Sequence, residues 1–228
     1  MTNAMKQVVL SAALAITVGM PGPARADVIP DRATLNALLG GGGVIEDFER
    51  FSIAKGKAVG GPLTHLDSST VFLGQGPGLV VGGVSFDFGP SLAWNGANYF
   101  GLPTRTIEGF SDQSITINFL APTTAFGVDL FAFAGFPATA SATVYDTQGN
   151  ILDTVTGLPL AGAPDLTFFG YTDAGGIGRV TLSQTGQPWS PILDNVTFGA
   201  AVPEPATLTL GGIGMALLLL TGTRRWRS

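Results

Sequence analysis

Cysteine is absent from the 228 residues. In a protein bound for an oxidising compartment that excludes a disulfide framework, and it excludes thiol catalysis anywhere. Histidine occurs once, at His65. With one imidazole and no thiolate, zinc and other transition-metal centres have too few ligands to draw on. Charged residues make up only 12% of the chain, and basic ones are the scarcer kind. All 16 acidic residues lie between Asp27 and Glu204, against 6 basic ones, so this body carries a net charge near −10. Nucleic acid and anionic lipid both require a basic face, so neither is an expected partner. No fixed-period repeat runs through the chain, which argues against a β-helix.

Glycine is abundant, with 33 residues, and proline follows with 15. Together with frequent Val, Ile, Phe and Thr they predict many short strands separated by turns. Residues 31–39 read as a short helix or turn ended by a four-glycine run. Beyond it the period is two. In 114–119, Ile115, Ile117 and Phe119 share one face and Ser114, Thr116 and Asn118 the other. In 125–133 the same alternation groups Phe126, Val128 and Leu130. A hairpin is predicted over 142–155, turning at Gly149-Asn150. Further strands are predicted at 44–51, 70–73, 79–88, 166–169, 177–183 and 192–198. About nine or ten short strands over residues 27–201 predict an all-β, antiparallel β-sandwich of the jelly-roll kind in one domain.

Both ends read as addresses. Lys6 precedes an apolar stretch from residue 8 to 18, then Gly19, Pro21, Gly22 and Pro23, then Ala24-Arg25-Ala26. This is the layout of a secretory signal peptide over 1–26, with cleavage after Ala26 at the Ala24-x-Ala26 triplet. At the other end, Pro203-Glu204-Pro205 holds the backbone extended. An uncharged segment, 206–223, follows, and Arg224, Arg225 and Arg227 close the chain. At about 1.5 Å per residue the segment reaches roughly 27 Å, enough for a thin hydrocarbon core. The arginines would stay cytoplasmic.

Residues 202–228 resemble the PEP-CTERM sorting signal of exported proteins of Gram-negative bacteria. The resemblance implies export across the inner membrane and transient anchoring by the 206–223 transmembrane helix. It implies processing by exosortase, an integral-membrane enzyme, followed by residence at the cell surface or in the extracellular matrix.

Three groups in the body could carry chemistry. His65 stands two residues from Asp67, with Ser68 and Ser69 next, but no nucleophile-elbow pattern surrounds them. Asp194 is expected on the inward face of the last strand with Ile192, Val196 and Phe198, where a carboxylate must be paired or metal-bound. Segments 45–49 and 192–198 resemble the first and last strands of carbohydrate-binding-type sandwich modules. There a Phe-Glu pair and an Asp-Asn pair often build a structural calcium site. The resemblance carries that role to the pairs Phe48-Glu49 and Asp194-Asn195, with Glu49, Asp194 and Asn195 supplying the oxygen ligands that calcium takes. Trp94, Tyr99 and Trp189, in Gly-, Asn- and Pro-rich surroundings, are a candidate platform for stacking on sugar rings, or else core residues.

The reading these features favour is a non-enzymatic exported β-sandwich protein acting in the extracellular polysaccharide matrix. One alternative is a secreted hydrolase using two carboxylates. Another is an adhesion or ice-binding surface protein, although no flat, repeated threonine face is visible in the sequence.

Overall fold

The computed structural model describes residues 26–110, 114–133, 136, 138–186 and 188–202. The signal residue Ala24, the sorting residues Pro203, Glu204, Pro205, Arg224, Arg225 and Arg227, and the segment 206–223 lie outside them; Ala26 is the first residue described. Among the described residues no helix is long and apolar enough to cross a bilayer.

The chain runs β1 (Asp27–Ile29), α1 (Arg32–Leu39), β2 (Val44–Glu46), β3 (Ala58–Gly61), β4 (His65–Leu66), β5 (Val84–Phe88), β6 (Ser91–Asn95), β7 (Thr106–Phe110) and β8 (Ser114–Phe119). It continues through β9 (Ala125–Phe131), β10 (Ala138–Asp146), β11 (Ile151–Leu160), β12 (Thr167–Thr172), β13 (Ile177–Thr185) and β14 (Ile192–Gly199). Eight strands form one sheet in the order β1-β12-β9-β14-β7-β6-β3, with β2 also paired to β14. Six form the other, ordered β11-β10-β13-β8-β5-β4. Every pairing between these strands is antiparallel. The fold is an all-β, two-sheet antiparallel sandwich.

Alternation builds the core between the sheets. Ile115, Ile117 and Phe119 of β8 and Phe126, Val128 and Leu130 of β9 all enter it, as does the apolar side of the β10–β11 hairpin. Its densest part is aromatic: Trp94 lies 4.7 Å from Phe51 and 6.2 Å from Phe48, edge-on to the latter. Two smaller clusters sit outside the eight-stranded sheet. In one, α1 lays Leu35 and Leu39 on Ile29 and Ala125, with Phe168 beside them. The helix starts at Asp31, whose carboxylate accepts from the Thr34 amide at 2.7 Å, and stops at Gly40 in a left-handed conformation. In the other, Leu102, Phe131, Ala163 and Ile192 pack with Phe100 and Phe133.

Several expected strands are redrawn. The 44–51 strand ends at Glu46, because the buried Glu46 carboxylate turns back to accept from the amides of Phe48 and Val81, both at 2.6 Å. Phe48 takes a positive φ of 57° to permit it. Residues 70–73 form a turn with one bridge between Phe72 and Gln75, not a strand. The segment around Trp94, for which no strand was predicted, is β6.

The last strand holds the most consequential correction. A bulge between Asp194 and Thr197 leaves Asn195 at φ 48° and reverses the side-chain alternation. Leu193, Val196 and Phe198 point into the core, while Ile192 joins the outer cluster. Asp194 therefore faces outward with Ile192, opposite Asp129 of β9, and not inward with Val196 and Phe198.

The outer face of the six-stranded sheet carries a row that the sequence does not reveal. Thr154, Thr143, Thr181 and Thr116 lie side by side across four strands. Below them Ser141 faces Ser183 at 2.8 Å between hydroxyls. Thr116 and Thr181 pair at 3.0 Å, and Thr139 and Thr185 at 3.1 Å. These are cross-strand pairs of the kind that stabilise a solvent-facing sheet.

Candidate functional site

The site forms where β3, β6 and β7 meet on the outer face of the eight-stranded sheet. Leu92, Trp94 and Ile107 point into the core, so the alternate positions Ser91, Ala93, Asn95, Thr106, Glu108 and Phe110 face out. Register places Ala58 beside Asn95 and Asn95 beside Thr106; it places Gly60 beside Ala93 and Ala93 beside Glu108. Glycine and alanine next to Glu108 leave the sheet surface low there. Tyr99, Phe110 and Phe133 stand around the depression, enclosing a groove of about 380 Å³. Tyr99 and Phe110 are 42% and 51% exposed. The wall is braced from behind: Tyr99 packs edge-on against Phe100 at 4.7 Å, Phe100 on Phe133 at 4.8 Å, and Phe133 on Trp189 at 4.6 Å.

The floor is polar and incompletely satisfied. Glu108 and Asn95 are 2% and 1% exposed. Asn95 Nδ2 donates to Glu108 Oε1 at 3.3 Å. Among the described residues, Glu108 Oε2, Asn95 Oδ1 and Thr106 Oγ1 have no partner. Burial pushes the Glu108 carboxyl up to about 7, and the Asn95 hydrogen bond only partly offsets it. Thr106 does not line the groove, whereas Glu108 and Asn95 do; buried polar atoms are normally paired, so these two acceptors in one groove mark it as built for something that pairs with them.

The expected site residues scatter around this groove. Tyr99 lines it. Trp94 does not: it is fully buried, with its indole N–H donated to the Phe48 carbonyl at 3.3 Å, so it has no face to offer a sugar. Trp189 is half-buried behind Phe133 and supports the wall without lining the groove.

Glu49, Asp194 and Asn195 gather in a second polar neighbourhood, each held by protein groups. Glu49 is ion-paired with Arg105 and accepts from its amide at 2.6 Å. Asp194 accepts from the Thr104 hydroxyl at 2.6 Å and from the Asn195 amide at 2.8 Å. Burial pushes Asp194 up to about 6, and the negative charges of Asp129 and Glu49 add to it. Asn195 donates to Asp129 at 3.2 Å, and Asp129 pairs with Arg32 at 2.7 Å. Among the described residues no three carboxylate or imidazole side chains converge as metal ligands. Arg105 and Arg32 bring positive charge to Glu49 and Asp129 respectively.

His65 sits on an edge strand and pairs chiefly with Asp87 of β5, at 2.6 Å, with Asp67 at 3.5 Å. Both carboxylates raise its pKa, the Asp87 hydrogen bond most. The Ser69 hydroxyl donates to Asp67, not to the imidazole, so His65 does not activate Ser69.

Sequence reading missed Glu108, Asn95, Phe110 and Phe133. The available signal was the Leu92/Trp94 alternation, which identifies β6 and places Asn95 outward.

No protein-family model matches the chain, and no curated protein matches it in sequence. Solved structures similar to it include the K2 cleaved adhesin domain of Lys-gingipain, with TM-score 0.40 and 12% identity over 69% of this chain and 99% of that one. The K1 cleaved adhesin domain of Lys-gingipain from Porphyromonas gingivalis W83 has TM-score 0.36 and 14% identity, covering 70% and 99%. A family 6 carbohydrate-binding module has TM-score 0.29 and 16% identity, covering 48% and 82%. The chain is thus distantly similar in structure to adhesin and carbohydrate-binding β-sandwich modules.

Proposed function

We propose that the protein is an exported, non-enzymatic sandwich module that binds glycan in the groove between Tyr99, Phe110 and Phe133. The observation that carries this reading is the pairing of exposed aromatic walls with buried, unpartnered acceptors on Glu108 and Asn95. An apolar cleft with a few convergent polar groups is the usual form of a small-ligand site. Sugar rings offer what it lacks: flat C–H faces for the aromatics and hydroxyl donors for the floor.

The signal peptide and the tail supply the route. The working place is the cell surface or the extracellular matrix of a Gram-negative cell, reached through the export machinery and exosortase processing. Fractionating cells that express the full chain tests this. A body found outside, shorter than its precursor, supports it; a full-length protein held in the inner membrane makes 206–223 an ordinary anchor.

For binding, native electrophoresis through gels containing the host's own polysaccharides should show retardation. Tyr99→Ala and Phe110→Ala should each weaken it about 2- to 10-fold, the worth of one aromatic contact. Absence of retardation with every polysaccharide overturns the glycan reading. Release of reducing ends in the same mixtures would establish the hydrolase instead. That chemistry uses two carboxyl groups, and Glu108 is the one carboxyl among the described residues lining the groove.

A further inference from the structure

The floor of the groove accepts hydrogen bonds and has little to donate. Its unpartnered atoms are the Glu108 carboxylate oxygen Oε2 and the Asn95 amide oxygen Oδ1. Among the described residues lining the groove the one side-chain N–H group, Asn95 Nδ2, is spent on Glu108, and the Ser91 hydroxyl at the rim is donated to the Phe110 carbonyl at 3.0 Å. Among the described residues no lysine, arginine or histidine lines the groove, so none of them sets a cation opposite Glu108. A neutral sugar hydroxyl both donates and accepts, and leaves the carboxylate uncompensated. An ammonium group donates three hydrogen bonds, accepts none, and carries the missing charge. It also gains from aromatic faces such as those of Tyr99 and Phe133.

We propose that the groove selects a glycan bearing a free amine, an amino sugar whose nitrogen is not acylated, with the ammonium seated between Glu108 and Asn95. This rests on the glycan reading above and narrows its ligand class. Charge complementarity supports it at two scales: the buried acid in the groove, and the net charge near −10 of the body around it.

The test uses protein recovered from cells expressing the full chain and three soluble β-1,4-linked oligomers of equal length: glucosamine, N-acetylglucosamine and glucose. Calorimetry should show the glucosamine oligomer binding about ten-fold or more tightly than either of the others, about 1.4 kcal/mol per decade. Glu108→Gln should remove that preference. Asp153→Asn, a charge removal on the opposite sheet, should keep it. Equal or tighter binding of a neutral oligomer overturns the ammonium assignment and leaves the glycan reading standing. Binding of none of the three overturns the ammonium assignment, and retardation by the host polysaccharides then decides the glycan reading on its own. Equal losses in Glu108→Gln and Asp153→Asn would show attraction to the acidic body as a whole, and the assignment fails. Should Glu108→Gln not fold, Tyr99→Ala at the exposed wall serves in its place, with a larger loss for the amine-bearing oligomer expected.

Discussion

Glu108→Gln is the sharpest probe of the groove floor, because its effect on stability should depend on pH in one direction only. Burial moves ionisation of Glu108 from the ordinary 4.5 to about 7. Below pH 4.5 the carboxyl is protonated in both the folded and unfolded chain and contributes no pH dependence. Between 4.5 and 7 the unfolded chain ionises first and the folded chain holds its proton, so stability falls as pH rises. Above 7 both are ionised and the full penalty stands. At about 1.4 kcal/mol per pH unit, that penalty is about 3 kcal/mol. Glutamine has the shape of the protonated acid and never ionises, and its carbonyl can still accept from Asn95. The variant should match the parent near pH 4 and exceed it at pH 8 by about 3 kcal/mol, or roughly 6–12 °C in melting temperature for a domain of this size. Thermal unfolding followed by circular dichroism, in steps from pH 4 to 8, reads this directly. Asp194 titrates in the same window with the same sign, so the informative quantity is the difference between parent and variant. A difference that stays at zero, or a variant less stable at pH 8, would refute the reasoning and mean that ionised Glu108 is well solvated in the fold.

Trp94→Ala should destabilise the sandwich by about 3–5 kcal/mol in chemical denaturation, since it empties the aromatic centre and orphans the Phe48 carbonyl. A loss of under 1 kcal/mol would place Trp94 outside the core. His65 should titrate above 6.5 by NMR, and Asp87→Asn should return it toward 6.5, because the Asp87 hydrogen bond is the main cause of the rise. Its stabilising pairing is complete below 6.5 and fades as pH climbs through the folded-state value. Millimolar calcium should leave the melting temperature unchanged, because Glu49 and Asp129 already hold Arg105 and Arg32. A rise of several degrees would support a metal site at Glu49, Asp194 and Asn195, since a ligand of the native state stabilises by mass action.

How much was legible follows from what each pattern depends on. The alternation in β8 and β9 is a local property of residues two apart, and it gave both strands and their inward faces. The end of the helix at 32–39 was legible too, through the run of glycines that follows it. The face of Asp194 was not. Parity counted from Val196 and Phe198 is correct only if the strand is regular, and the bulge at Asn195 is fixed by its partners on β9 and by Arg32, which donates to the Asn195 carbonyl at 3.0 Å. Likewise Trp94 and Tyr99 are five residues apart in similar company, yet one is sealed between sheets and the other stands at the groove.

By itself, then, the sequence determined the composition-level facts: an acidic, cysteine-free, strand-and-turn chain. Hydrophobic periodicity and charge are carried along the chain, so they can be read without a fold. The groove could not be read that way. Asn95, Thr106 and Glu108 become neighbours only when β6 and β7 pair, and Phe133 reaches them only because the outer cluster holds it there. Register between strands and packing across them are long-range choices, and they alone turned an ordinary glutamate into a buried acid at the bottom of an aromatic cleft.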